Sequence, residues 1–156
     1  AQLDRFLMKI QVGYPTVEEE DRILAMAGIG VGSVDVETAG IVPVASAEQL
    51  ARVRNVASEV LVEDSVRGYI RDLMRATRET PMILLGAGPR AGVHLLVASR
   101  WFAALDGRTF VTPDDVQRAA HPVICHRLVL APEVELDGLG ASEVLDRVSS
   151  TVEVPR

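Results

Sequence analysis

The residues that decide the fold are GAGPRAGVHLLVASRWFAALDGRTFVTPDDV, at positions 86–116. A helix is predicted to begin at Gly88-Pro89, because proline is favoured in the first turn, and to stop at Asp106-Gly107. A second helix is predicted from Thr112, a capping residue that is followed by proline and two acidic residues. The stretch therefore indicates two helices joined by a short connection.

Signals of further helices lie on both sides of this pair, and together they predict a mainly α fold in the form of a helical bundle. Pro122 is predicted to break or kink the helix that begins at Thr112. Residues 28–40 are glycine-rich and aperiodic, which predicts a long loop. The further helix signals are the capping boxes Thr16/Glu19 and Ser46/Gln49, the apolar stripe after Asp64 and the segment 142–150.

The beginning of the chain alternates instead of following helical spacing. Phe6, Met8, Ile10 and Val12 fall on one side, which predicts a strand over residues 5–12. A lone strand leaves its backbone groups unpaired, so this strand should belong to a sheet that the chain does not supply. Its apolar side is therefore expected to be buried against a partner that is not local in sequence.

The composition excludes several classes of protein. With 22 acidic and 16 basic residues the formal charge is -6, which argues against a general nucleic-acid binder. No apolar run approaches the ~20 residues that span a bilayer, so a membrane partner is not expected. A single cysteine, Cys125, excludes an intrachain disulfide framework and suits a reducing compartment, so we expect the cytoplasm.

Candidate metal ligands and nucleophiles are weak in this sequence. His121, Cys125 and His126 have the wrong spacing for one helical face, so we predict a structural role and no metal site. The glycines of residues 28–33 lack the lysine and the spacing of a phosphate loop. The pair Asp114-Asp115 is explained by helix capping.

The stretch Gly86-Ala87-Gly88-Pro89-Arg90-Ala91 has two possible meanings. It matches G-x-G-x-x-A and opens a helix, so a dinucleotide-binding domain through Gly86, Gly88 and Ala91 is one alternative. Asp106, at the spacing of the ribose-binding acid, lies at a helix stop and not after a second parallel strand. Arg90 lies in the first helical turn, where a cation opposes the helix dipole unless an anion balances it, and this placement favours phosphate contact.

A series of motifs follows one another along nearly the whole chain. They are AQLDRFL at 1–7, GYP at 13–15, GAGPRA at 86–91, AALDGR at 103–108, VTPDDV at 111–116 and HRL at 126–128. In this order they resemble the end of the ATPase core and the helical lid of MoxR-family AAA+ ATPases. One departure is Gly88, where the family more often has serine before the proline. Glycine can also cap a helix, so Arg90 should still be placed.

The resemblance implies a role for three residues. Arg5 would be the arginine finger that reaches a neighbouring subunit's ATP, and Arg90 the sensor-two arginine that reaches the γ-phosphate from the lid. Tyr14 would lie at the hinge between core and lid, close to the adenine. Residues 1–14 would be a remnant of the AAA+ core and residues 15–156 the lid domain.

The resemblance also implies ATP as the cofactor, with Mg²⁺ bound by a core that these residues lack. It further implies a homo-oligomeric ring, expected to be a hexamer, with chaperone-like remodelling that can involve a von Willebrand A domain protein and a client metalloenzyme. The sequence contains no phosphate loop, so this chain alone is expected not to hydrolyse ATP. The other alternative is a helical interaction module that binds no nucleotide, which leaves the strand of residues 5–12 unexplained.

Overall fold

The computed structural model describes residues 3–28 and 40–155. The chain is mainly helical, which confirms the predicted fold class. It forms two compact units, one made of Ala1–Ile10 with Val53–Arg156 and the other of Gln11–Arg52. The loop predicted for residues 28–40 falls almost wholly outside the described residues. Among the helices that are described, none is both long enough and apolar enough to cross a membrane.

The unit Gln11–Arg52 contains helix α1 (Val17–Gly28) and the beginning of α2 (Ala47–Glu59). The Thr16 N–H donates to Glu19 Oε2 at 2.8 Å, and the Glu19 N–H donates back to Thr16 Oγ1 at 3.3 Å. The Ser46 N–H donates to Gln49 Oε1 at 2.7 Å, and the Gln49 N–H donates to Ser46 Oγ at 3.2 Å. Both predicted capping boxes are thus confirmed.

The larger unit is built around one hydrophobic core that the helices enclose. The apolar stripe of α3 is buried as predicted, and Leu73 is only 1% exposed. Leu95, Ile124 and Leu145 fill the same core from three other helices. The helices are α3 (Asp64–Glu79), α4 (Pro89–Leu105), α5 (Pro113–Ile124), α6 (Pro132–Leu136) and α7 (Ala141–Ser149).

Pro122 does not break α5 at its own position. The helix continues to Ile124 and then tightens into a 3-10 turn, Cys125–Arg127. Proline removes one backbone donor, and here that loss falls within the last turn, where the helix is about to end. A break at Pro122 is therefore wrong by two residues, and the alternative of a kink stays a prediction.

A small antiparallel sheet, which the sequence patterns did not indicate, joins β1 (Ile83–Leu85) to β2 (Val129–Leu130). Ile83 lies opposite Leu130, and both pack with Val144 of α7 in a second, smaller cluster. Within the part of the chain that the structure describes, β1 has β2 as its neighbour and no parallel strand beside it. A dinucleotide fold requires parallel strands on this side of the helix, so that alternative is wrong.

The prediction of a strand over residues 5–12 is wrong as well. Leu3–Arg5 forms a 3-10 turn, and the residues that follow join no strand among the described ranges. On the alternating side only Met8 packs against the core, while Phe6, Ile10 and Val12 are 52%, 76% and 90% exposed. A strand requires a paired backbone, and here the segment finds another anchor: the Lys9 N–H donates to the Pro122 carbonyl at 2.8 Å.

Candidate functional site

Residues 86–91, which we call the Arg90 segment, are anchored to the end of α3. The Ala87 N–H donates to Thr77 Oγ1 at 3.0 Å, and the buried Thr77 hydroxyl donates to the Met74 carbonyl at 2.7 Å. A Cβ on Gly86 would lie 2.5 Å from the Thr77 carbonyl oxygen. The close approach of two backbones therefore requires glycine at position 86.

Arg90 lies in the first turn of α4 with its side chain 57% exposed. The helix begins at the N-cap Gly88 with Pro89 in the first position, as predicted. The Arg90 guanidinium NH1 lies 3.6 Å from Oδ2 of Asp4. In this structure the anion beside Arg90 is therefore a carboxylate from the beginning of the chain, and the phosphate contact stays a prediction.

Residues 3–9, which we call the Arg5 segment, present Arg5 at the end of the 3-10 turn. Its side chain is exposed, and the guanidinium carbon lies 5.4 Å from the centroid of the Phe6 ring. Tyr14 is 99% exposed and belongs to the other compact unit, Gln11–Arg52. The structure thus brings the Arg5 and Arg90 segments together through Asp4, and the roles of Arg5, Arg90 and Tyr14 all stay predictions.

Arg127 holds the Arg5 segment against the ends of the helices. Its side chain is only 1% exposed, and burial lowers the pKa of its guanidinium, although the carboxylate of Asp4 acts in the opposite direction. An arginine nevertheless stays charged in proteins, so its donors require acceptors. The acceptors are the carbonyls of Asp4 (3.1 Å), Phe6, Leu7 (3.4 Å) and Val123, Oδ1 of Asp4 (3.3 Å) and Nδ1 of His94 (2.6 Å).

His94 of α4 completes this group, and we call Asp4, His94 and Arg127 the Arg127 cluster. Burial lowers the pKa of the His94 imidazole, and the nearby charge of Arg127 lowers it further. Because Nδ1 accepts a hydrogen bond from Arg127, the neutral imidazole is the form that fits. The cluster therefore holds together best when His94 carries no charge.

None of these three residues was assigned a role from the sequence. Asp4 and Arg127 both lie inside motifs that carried the family resemblance, and this was the signal that could have selected them. Their pairing, however, joins positions 123 residues apart, which no local pattern reveals.

The connection between α4 and α5 is fixed by an ion pair between the partly exposed Arg108 and the buried Asp115. Asp115 is 2% exposed and accepts two bonds from Arg108, both at 2.6 Å, and one from the Thr112 N–H at 2.8 Å. Burial alone would raise the pKa of Asp115, but the bonds from Arg108 and Thr112 lower it below its usual range. Gly107 turns the chain with φ of +74°, a conformation that favours glycine. The motifs at 103–108 and 111–116 therefore build the scaffold that holds α4.

His121 and Cys125 have structural partners. The His121 ring lies 2.9 Å from Oδ1 of Asp146 and 2.9 Å from Oγ of Ser142. Burial raises the pKa of the Cys125 thiol to about 11, so it is protonated at neutral pH and a poor nucleophile. Within residues 3–28 and 40–155, no group of three or more His, Cys, Asp or Glu side chains could hold a metal ion.

The sequence of the chain is similar to a known domain family and to two curated proteins. The family described as the AAA lid domain matches residues 75–148. The chain is 35% identical to the uncharacterized protein YeaC of Bacillus subtilis over 155 residues, which cover 99% of this chain and 47% of YeaC. It is 32% identical to the chaperone MoxR1 of Mycobacterium tuberculosis, over 100% of this chain and 42% of that protein.

A solved structure shares the fold over the same extent. The crystal structure of a candidate ATPase from Cytophaga hutchinsonii superposes with a TM-score of 0.80 and 26% identity, covering 99% of this chain and 48% of that one. The chain thus spans about half the length of the curated relatives that it matches.

Proposed function

Because this chain belongs to the MoxR family of AAA+ ATPases, whose lid domain it contains, we propose that it senses ATP bound to an ATPase core and contributes to hydrolysis in a neighbouring subunit. In this proposal residues 1–14 belong to the core and residues 15–156 to the lid. ATP and Mg²⁺ bind to the core, and the subunits form a ring, which we take to be a hexamer.

The observation that carries the proposal is the position of Arg90. It lies at the positive end of α4, and its carboxylate partner is 3.6 Å away and 42% exposed. Exposed ion pairs of this kind contribute little, typically up to ~1 kcal/mol, so a phosphate group can replace the carboxylate. A helix N-terminus also favours negative charge on a ligand. Arg90 is therefore suited to bind the γ-phosphate of its own subunit's ATP.

Arg5 is suited to act outside its own subunit. Its guanidinium is exposed on a segment whose backbone is fixed by partly buried hydrogen bonds from Arg127. An arginine supplied to a neighbour's phosphates stabilises charge in the transition state of phosphoryl transfer. In the same proposal Tyr14, which is fully accessible, lies near the adenine at the hinge between core and lid.

The cellular task we propose is chaperone-like. The mycobacterial relative is named a chaperone, which supports ATP-driven remodelling of other proteins. The family resemblance extends this to a client metalloenzyme and to a partner with a von Willebrand A domain. The single cysteine suits a reducing compartment, so we place the protein in the cytoplasm.

Mixing subunits tests where Arg5 acts. In a protein that joins this chain to its ATPase core, Arg5→Ala subunits are combined with subunits that lack the phosphate-loop lysine. Interfaces that pair an intact pocket with an intact finger should regain ATP turnover. If mixed rings demonstrably form and turnover is not restored, Arg5 does not act in trans and the finger assignment fails.

The chain alone offers a second test, because its sequence contains no phosphate loop. We expect no ATP turnover from the purified 156-residue chain, measured as phosphate release against a blank. Turnover that persists through purification and does not change when an ATPase core is added would exclude the role of a lid.

A further inference from the structure

We propose that Arg127 positions the arginine finger, and that Asp4 couples this finger to the sensor arginine of the same subunit. The inference rests on the proposed function and extends it, because it connects the two arginines within one chain. ATP bound in a subunit's own site would thereby change how well the Arg5 of that subunit stimulates ATP hydrolysis in the neighbouring subunit.

The first step of the argument is that Arg127 bonds to the backbone on both sides of Arg5. It donates to the carbonyl of Asp4 on one side and to those of Phe6 and Leu7 on the other. Backbone bonds of this kind fix the course of the chain at Arg5 without restricting the Arg5 side chain itself. Arg127 is therefore suited to orient the finger while leaving its guanidinium free.

The second step is that Arg127 cannot easily release the segment. Its side chain is 1% exposed, and apart from Val123 and His94 its acceptors come from residues 4–7. If the segment left, a buried guanidinium would lose most of its partners, and unpaired buried charges are strongly unfavourable. Arg127 therefore holds the Arg5 segment to the interior of the larger unit.

The third step is that one carboxylate lies between two arginines. Oδ1 of Asp4 is 3.3 Å from Nε of Arg127, while Oδ2 is 3.6 Å from NH1 of Arg90. A phosphate that binds Arg90 competes with Asp4 for the same guanidinium. Asp4 then pairs with Arg127 alone. Because Asp4 is the middle residue of the turn Leu3–Arg5 and directly precedes Arg5, this pairing fixes the turn that carries the finger.

The resulting coupling has a definite sign. ATP in a subunit's own site releases Asp4 from Arg90 and strengthens the hold of Arg127 on the Arg5 segment. Loss of the γ-phosphate reverses this change. A subunit with bound ATP is therefore the better finger donor, and the ring alternates between donors of different strength as hydrolysis proceeds.

The test uses mixed rings of the full protein, in which the variant subunit serves only as finger donor to a wild-type pocket. Arg127→Lys keeps the charge but offers three donors on one nitrogen in place of five on a planar fork, so it cannot reach all of these acceptors. We expect the neighbour's kcat to fall at least tenfold while its KM is unchanged. Asp4→Asn keeps the backbone carbonyl and removes the charge. We expect it to tighten ATP binding in its own site by up to about fivefold and to abolish the effect of that ATP on the neighbour's kcat.

Hydrogen exchange on the 156-residue chain gives a readout that does not depend on activity. The amide of Lys9, which donates to the Pro122 carbonyl, should exchange faster in Arg127→Lys than in wild type. Arg71→Lys is the matched control, because Arg71 is an exposed arginine of α3 paired with its neighbour Asp72. It should leave the Lys9 amide unchanged.

The outcomes separate this inference from the proposed function. If Arg5→Ala lowers the neighbour's kcat and neither Arg127→Lys nor Asp4→Asn affects it, the inference is wrong and the proposed function stands. If Arg5→Ala has no effect in trans, the finger assignment fails and this inference fails with it. If Arg127→Lys does not fold, Asp4→Asn decides, since an exposed carboxylate can be replaced without loss of the core.

Discussion

The two arginines that the proposal depends on are held in different ways. Arg90 lies on a helix end that its own neighbours in sequence build, with Gly86 against the end of α3 and proline in the first turn. Arg5 lies on a turn held by Arg127, a side chain more than a hundred residues further along. The first site depends on local backbone geometry, and the second depends on one buried cation.

This difference predicts how each site can be damaged. Loss of Arg127 should disturb the Arg5 segment and leave the beginning of α4 in place, because the bonds that anchor Ala87 to Thr77 do not involve it. Conversely, changes at Gly86 should affect the Arg90 segment first. Asp4 contacts both Arg90 and Arg127, so changes at Asp4 should affect both sites directly.

The largest effect is expected from the arginines themselves. In a protein with its ATPase core, Arg5→Ala should lower turnover on the order of a thousandfold and leave ATP binding nearly intact, as expected for an arginine finger. Arg90→Ala should weaken ATP binding as well, because its contact forms in the ground state. Steady-state kinetics with an equilibrium ATP-binding assay measures both. Equal effects of the two variants on ATP binding would contradict the division of roles.

A second comparison concerns the two glycines of the Arg90 segment. Gly86→Ala should destabilise the chain by roughly 1–3 kcal/mol, because the added Cβ would force the Thr77 backbone away. Gly88→Ser is the matched control: nothing lies within 4 Å of a Cβ there, and both residues cap helices, so a change of only a few tenths of a kcal/mol is expected. Urea denaturation of the chain measures both. Similar losses for the two variants would show that the contact with Thr77 does not constrain position 86.

The smallest expected effect is a pH dependence confined to the Arg5 segment. The pKa of His94 is lowered by burial and by Arg127, so the folded chain binds fewer protons than the unfolded chain below the ordinary histidine pKa of about 6.5. The contribution of the neutral His94 to the free energy of unfolding is therefore fully present above that pH, and it is lost as the pH falls toward the lowered pKa. Burial lowers the pKa of His126 too, with the same sign.

The measurement is hydrogen exchange of Lys9 between pH 7 and pH 5, corrected for the intrinsic pH dependence of exchange. Protection of Lys9 should fall, while the Ala87 amide, bonded to a hydroxyl that does not titrate, should keep its protection. His94→Gln should reduce the pH dependence at Lys9. The same fall at both amides would indicate a global change and not a local one.

The sequence predicted the helices well because their signals are local. Capping residues, a proline in the first turn and a glycine at the end each act within one helical turn, so α1 to α5 and α7 begin close to their predicted positions. The strands β1 and β2 have only three and two residues, too few for a periodic pattern. The short α6 was missed for the same reason.

The strand predicted over residues 5–12 does not form, because alternating apolar residues indicate which side chains share a face and not whether the backbone has a partner strand. Without a partner the segment bonds to Arg127 and Pro122, which no pattern in residues 5–12 could indicate. The alternative of a helical interaction module that binds no nucleotide left the strand of residues 5–12 unexplained. Because this strand is absent, that argument against the alternative no longer holds. The match to the AAA lid domain and to MoxR relatives, and not the strand, is what separates the two readings.

The single cysteine has a practical consequence for spectroscopy. With a thiol pKa of about 11, only about one Cys125 in ten thousand is a thiolate at pH 7, so thiol-reactive dyes should modify it slowly. A cysteine introduced at the exposed position of Phe6 would react far faster and could carry a fluorophore next to the finger. The native chain thus already provides a nearly silent background for observing the Arg5 segment by fluorescence.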